Sequence, residues 1–206
     1  FNSHNSVDIF FLTDKTNIEM EDFFPAIYNK KLDEFTITKG DFCSVQNYYI
    51  SAIADDKPNE NLELIEDIFA STNKVPQILI ICNNHKEVAD LNRLFLEKNF
   101  NTSVCHSRMD LQLQLIQLQK FNSKDAKIII TDHLPEGLVE VNILFFFDFA
   151  IDAQDYNHAR KVPGVELIIS LIETSGEYQF KEELQETLEI KMDELPINFF
   201  ENYFKK

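Results

Sequence analysis

Ile128–Gly164 reads IIITDHLPEGLVEVNILFFFDFAIDAQDYNHARKVPG, and the two apolar runs inside it decide the fold. The first run, Lys127–Thr131, stops at Thr131-Asp132, and Gly137 follows. The second, Asn142–Asp148, stops at an aspartate, and Tyr156-Asn157-His158 comes next. Neither run alternates polar with apolar residues. Short segments that are apolar on both faces suit strands at the centre of a parallel sheet, where helices cover both sides.

The same signature recurs on either side. Gln77–Cys82 (QILIIC) and Glu166–Ile172 (ELIISLI) are further two-faced runs, with Thr102–Cys105 a shorter candidate. His85–Asn99 places Val88, Leu91, Leu94 and Phe95 on one helical face, and Asn61–Ala70 does so with Leu62, Ile65, Ile68 and Phe69. Asn59 or Asn61 is expected to cap the latter, with Pro58 just upstream. Leu111–Phe121 (LQLQLIQLQKF) begins like an alternating strand, yet Leu111, Leu115 and Leu118 fall at helical spacing. Its place between two strands predicts a helix, with the glutamines as its solvated face. Strands alternating with helices give an α/β three-layer sandwich, a mostly parallel central sheet with helices on both faces.

Towards the N-terminus, Val7–Leu12 reads as a strand, Ile18–Ile27 as a short acidic helix and Val45–Ile53 as an alternating strand. The division expected is an N-terminal extension or linker over 1–34 and one domain over 35–206. The chain opens on Phe1, so a piece of a longer protein is expected, with any address signal outside it.

Composition narrows the chemistry. A formal net charge of −16 disfavours general RNA binding, which draws on Lys and Arg against phosphates. Only 4 glycines are present, and neither GxxxxGK[ST] nor GxGxxG occurs, so no phosphate-cradling loop or Rossmann-type first turn is available. Cys43, Cys82 and Cys105 form no CxxC pair and read as buried reduced thiols of an intracellular protein. Cys82 with His85, and Cys105 with His106, lack a second ligand pair, so no metal is expected. No apolar run is long enough for a membrane span.

The order Thr131-Asp132, Gly137, Asp148, Tyr156 and His158 resembles the C-terminal RecA-like domain of DEAD-box RNA helicases, whose matching segments are TDxxxRGxD and YxHRxGRxGR. The resemblance runs from about Phe35 to Pro196. Ile78–Asn84 is similar to the family's strand end, His106–Met109 to its HGDM segment, and Asp193–Pro196 to an ELP-type ending. The departures carry the functional reading. Glu136 stands at the first arginine position and Val139 at the following aspartate, while Ala159, Val162 and Val165 occupy the three later arginine positions. An arginine that meets a phosphoryl group in flight is worth about 10³–10⁵ in rate, and neither alanine nor valine offers a donor.

The resemblance therefore implies a RecA-like scaffold without catalytic residues or bound cofactor. Thr131, Asp132, Gly137, Tyr156 and His158 would be vestigial motif positions kept for packing and local hydrogen bonds. The helicase-C-like module of Yb-type Tudor proteins of the piRNA pathway is similar. It implies a self-associating or scaffolding role in a cytoplasmic ribonucleoprotein granule or in the nucleus, with a protein partner or a second copy. The tail Ile197–Phe204 groups Phe199, Phe200, Tyr203 and Phe204 on one broad helical face, to fold back on its own sheet or to dock on that partner. The alternative is the C-terminal half of a divergent DEAD-box helicase that retains RNA binding.

Overall fold

The computed structural model describes residues 45–52, 56–150 and 152–205. The strand and helix expected over Val7–Leu12 and Ile18–Ile27, the 34/35 boundary and Cys43 lie outside them.

Seven strands form one sheet in the order β3-β4-β2-β5-β6-β1-β7. They are β1 (Gln46–Ser51), β2 (Ile78–Ile81), β3 (Thr102–Cys105), β4 (Ile128–Thr131), β5 (Ile143–Phe146), β6 (Leu167–Ile172) and β7 (Met192–Glu194). Every pairing is parallel, with Ile80 beside Ile130 on one side and Phe145 on the other. The helices are α1 (Lys57–Ser71), α2 (His85–Glu97), α3 (Leu111–Asn122), α4 (Ala153–Ala159), α5 (Ser175–Leu188) and α6 (Phe199–Tyr203).

The two-faced strands serve two separate cores, because successive side chains of a strand point to opposite sides. Ile78, Ile80, Ile128, Ile130, Ile143 and Phe145 pack under α1, α2 and α6. Leu79, Ile129, Leu144, Phe146 and Ile168 pack under α3, α4 and α5. The result is the expected three-layer sandwich.

Local chemistry sets the helix starts. Asn84 caps α2 by accepting the N–H groups of Lys86 and Glu87 at 3.0 and 3.1 Å. Thr174 and Glu177 close a capping box on α5. At α1 the expectation needs correction: neither Asn59 nor Asn61 caps it. The helix starts at Lys57 behind Asp56, and Pro58 lies inside its first turn, where the missing N–H goes unfelt.

Side chains hydrogen-bond to the backbone at both rims of the sheet. On β3, Lys120 Nζ donates to the Thr102 carbonyl at 3.0 Å and the Val104 N–H donates to Gln117 Oε1 at 3.4 Å. On β7, the Met192 N–H donates to Gln185 Oε1 at 2.8 Å.

A second correction concerns α3, whose helical spacing suggested a core stripe. Only Leu118 and Phe121 are buried, while Leu111, Leu113, Leu115 and Ile116 are 51–68% exposed. The tail, by contrast, docks in cis. Phe200 is buried in the core beneath α1, and the Phe199 ring lies 4.8 Å from that of Tyr48 on β1.

Candidate functional site

At the C-terminal ends of β2, β4 and β5 lies a cavity of about 220 Å³. Asp132, His133, Asp148, Asp155, His158 and the buried thiol Cys82 supply its titratable side chains, beside Asn83, Phe146 and Ala159. The end of parallel strands is where open α/β sheets place their sites, since the loops diverge there. Among the described residues no lysine or arginine lines it. The cavity thus carries three carboxylates, one of which, Asp148, is paired with the Lys57 ammonium behind it.

Asp132 is the best-held group. It accepts the Ser107 N–H at 2.8 Å and the Ser107 hydroxyl at 2.6 Å, and His133 Nδ1 lies 2.7 Å from it. Burial pushes its pKa up, but the Ser107 hydroxyl, His133 and the Ser107 amide outweigh that and hold it below the usual aspartate value. This contact joins the two segments that resemble HGDM and TDxxxRG. Thr131 is wholly buried, and its hydroxyl donates to the His133 carbonyl at 2.7 Å, a local turn.

Asp148 anchors the other wall. Lys57 Nζ lies 2.7 Å from Oδ1, and the Asn83 N–H donates to Oδ2 at 2.8 Å. Lys57 comes from the first turn of α1 and also stands 3.5 Å from Glu173. Burial depresses its pKa, yet the hydrogen bond to Asp148 and the charges of Asp148 and Glu173 raise it overall. Nearby Glu87 is raised by burial and by sharing its surroundings with Asp148. Lys57 and Glu87 were not anticipated as neighbours of the site. The lysine leaves no sequence signal, because it reaches Asp148 across 91 residues of chain.

Of the remaining motif positions, Gly137 sits at φ +86°, where glycine is favoured, and Asn122 Nδ2 donates to its carbonyl at 2.9 Å. Tyr156 is a strut in place of a reactive group. Its ring stacks on Phe146 at 5.2 Å, its hydroxyl donates to Asn47 Oδ1 at 3.0 Å, and burial drives its pKa upward. His158 is exposed at the cavity mouth.

The four arginine-replacement positions do not converge on the cavity. Glu136 is exposed, Ala159 is buried on the cavity wall, and Val162 and Val165 belong to the core beneath α4 and α5. Cys82 and Cys105 are free and buried, and burial raises both thiol pKa values. Among the described residues no cluster of three or more His, Cys, Asp or Glu is set to hold a metal ion. No described helix is long and apolar enough to cross a membrane.

Residues 60–161 match the family described as the helicase conserved C-terminal domain. An ATP-dependent RNA helicase eIF4A of Phaeosphaeria nodorum is 22% identical over 179 residues, which cover 82% of this chain and 42% of that protein. The helicase SUB2 of Debaryomyces hansenii is 22% identical over 159 residues, covering 74% of this chain and 35% of that protein. The chain thus spans about two fifths of the length of the curated relatives it matches. Among solved structures, the C-terminal domain of the DEAD-box protein Dbp5 superposes with a TM-score of 0.65 at 17% identity, covering 80% of this chain and 96% of that one. Residues 60–161 are therefore similar to the helicase conserved C-terminal domain, and the chain has the RecA-like fold of DEAD-box C-terminal domains.

Proposed function

We propose that this chain is a catalytically inactive helicase-C-like interaction module, which self-associates or scaffolds a ribonucleoprotein assembly. The observation that carries this reading is the cavity at the strand ends, lined among the described residues by Asp132, Asp155 and the Lys57-paired Asp148 and by no lysine or arginine. Transition-state charge on a γ-phosphate needs positioned cations, and carboxylates oppose it. Val162 and Val165 lie in apolar packing, so those positions serve the core.

A docking role has support from structural neighbours. A Dbp5 C-terminal domain of S. cerevisiae is bound to Gle1 and IP6, and E. coli SrmB is bound to the protein RraA. The piRNA-type setting, in a cytoplasmic or nuclear granule, belongs to the proposal through the likeness to Yb-type modules. Titration with a fluorescent ATP analogue tests the inactive cavity. No saturation is expected up to about 1 mM, a limit near 4 kcal/mol of binding. Saturable binding in the micromolar range would overturn it.

A second reading is supported by the retained order of Thr131, Asp132, Gly137, Tyr156 and His158 and by the helicase relatives. The chain would then be half of a divergent DEAD-box helicase that still binds RNA. RNA titration at low salt separates the two. Binding whose logarithm falls linearly with log salt concentration supports the helicase half, and no binding supports the module.

A further inference from the structure

We propose that the outward face of α3 is the surface on which a second copy of this chain docks. This deepens the self-association reading and rests on it. The helix seats on the sheet through Leu118 and Phe121 alone, and polar groups fill the rest of its inward side. Beside those two, Gln114 Nε2 donates to the carbonyls of His106 and Met109, Gln117 accepts from Val104, and Lys120 donates to Thr102. Its outward side carries Leu111, Leu113, Leu115 and Ile116, at 68, 51, 56 and 57% exposure. At 100° per residue, Leu111 and Leu115 flank one margin of the exposed arc and Leu113 and Ile116 the other, with Gln112 and Gln119 between them. Val139, 67% exposed, prolongs the first margin, because its N–H is held by Asn122 at the end of α3.

Charge selects the occupant. In a molecule of net charge −16, Leu111–Asn122 contains no Asp or Glu, and its one cation, Lys120, is turned to β3. A basic partner finds no carboxylate on this helix, and a nucleic acid finds no cation. A symmetric pair needs a patch complementary to itself. Leucine against leucine meets that need, and so does glutamine, whose amide both donates and accepts. Across the helix itself two strongly acidic copies meet without carboxylates, the nearest being Asp110 at its N-cap. Four aliphatic side chains more than half exposed offer roughly 400 Å² per copy, the size at which patches mark interaction sites. Two such faces bury about 800 Å², short of the ~1,200 Å² of stable complexes, so the pairing is weak and concentration dependent.

Sedimentation velocity of the full chain from about 1 to about 300 µM tests this. The wild-type coefficient should rise across that range. Leu115→Glu with Ile116→Glu should weaken pairing at least tenfold, with an unchanged circular-dichroism melt because both residues are exposed. The single change Gln112→Cys should give a disulfide-linked dimer on mild oxidation. A wild-type monomer throughout, without the Gln112→Cys cross-link, sinks both this surface and the self-association reading. Association that survives the double substitution sinks only the surface.

Discussion

The Lys57 ammonium lies 2.7 Å from Asp148 Oδ1, with both side chains close to fully buried at 8 and 12% exposure. This pair ties the first turn of α1 to the end of β5, and the Lys57 ammonium sits 5.1 Å from the Phe147 ring centre. Removing one member strands the other charge. Lys57→Ala should cost about 3–5 kcal/mol in urea denaturation, and Lys57→Met with Asp148→Leu should cost less than either single change. The folded pKa of Lys57 is raised above 10.5, so its contribution is complete below that value and fades as pH climbs through the raised one.

Two carboxyls near the cavity should titrate in opposite senses. Asp132 is held below 3.8, so its stabilisation is present above that pH and is lost as pH falls through the lower folded value. Ser107→Ala, which removes one charged hydrogen bond, should cost about 1–3 kcal/mol at neutral pH and move the Asp132 titration towards 3.8. Glu87 is raised above 4.5, so its favourable contribution exists below that pH and is gone at neutrality. Glu87→Gln should therefore stabilise the fold at pH 7 and lose that advantage in acid. Denaturation curves at several pH values, with carboxyl NMR titrations, check both.

Restoring family arginines should separate core from surface. Val162→Arg buries an unpaired guanidinium and should cost more than about 3 kcal/mol without creating nucleotide binding. Glu136→Arg, at an exposed position, should stay within about 0.5 kcal/mol. A Val162→Arg protein as stable as wild type, with measurable affinity for ATP, would refute the assignment of that position to the core.

The aromatic tail should behave as part of its own domain. Phe200→Ala should cost about 3–5 kcal/mol, because Phe200 is 4% exposed beneath α1. Phe199→Asp, which breaks the contact with Tyr48, should cost about 2 kcal/mol. Neither change should weaken association among molecules that remain folded. Loss of assembly without loss of stability would show the tail docking in trans.

Two glycines at positive φ should respond unequally to alanine. A Cβ at Gly164 (φ +83°) would meet the Val141 carbonyl oxygen at 3.1 Å, whereas at Gly137 (φ +86°) it meets only the Leu118 Cδ2 at 3.5 Å. Gly137→Ala should cost about 1 kcal/mol for the backbone, and Gly164→Ala about 2–3 kcal/mol, since a backbone atom must also yield. Thermal midpoints compare the two directly.

The sheet was legible because β2, β4, β5 and β6 announce themselves as runs apolar on both faces, and α1 and α2 because their stripes repeat at helical spacing. Three elements escaped. In α5 the apolar stripe is thin: Phe180, Leu184 and Leu188 stand at helical spacing, but only Leu184 is fully buried, beside Lys181, which lies over the Tyr49 ring at 4.4 Å. Its capping box, Thr174 to Glu177, was the available signal. α4 is two turns long, and β7 is three residues of which two are acidic. At the site, the order of Thr131, Asp132 and His158 was readable. What spacing could not reveal is which side of α3 faces the sheet, because Gln114, Gln117 and Lys120 are drawn inward by backbone partners on β3 and the loop after it.

Gln117 and Gln185 act as stoppers on the two outermost strands, each occupying a main-chain amide that an incoming strand would need. Exposed strand margins are how folded proteins zip into fibrils. With one amide of each outermost strand so occupied, edge-to-edge pairing of copies meets an obstacle at both ends of the sheet.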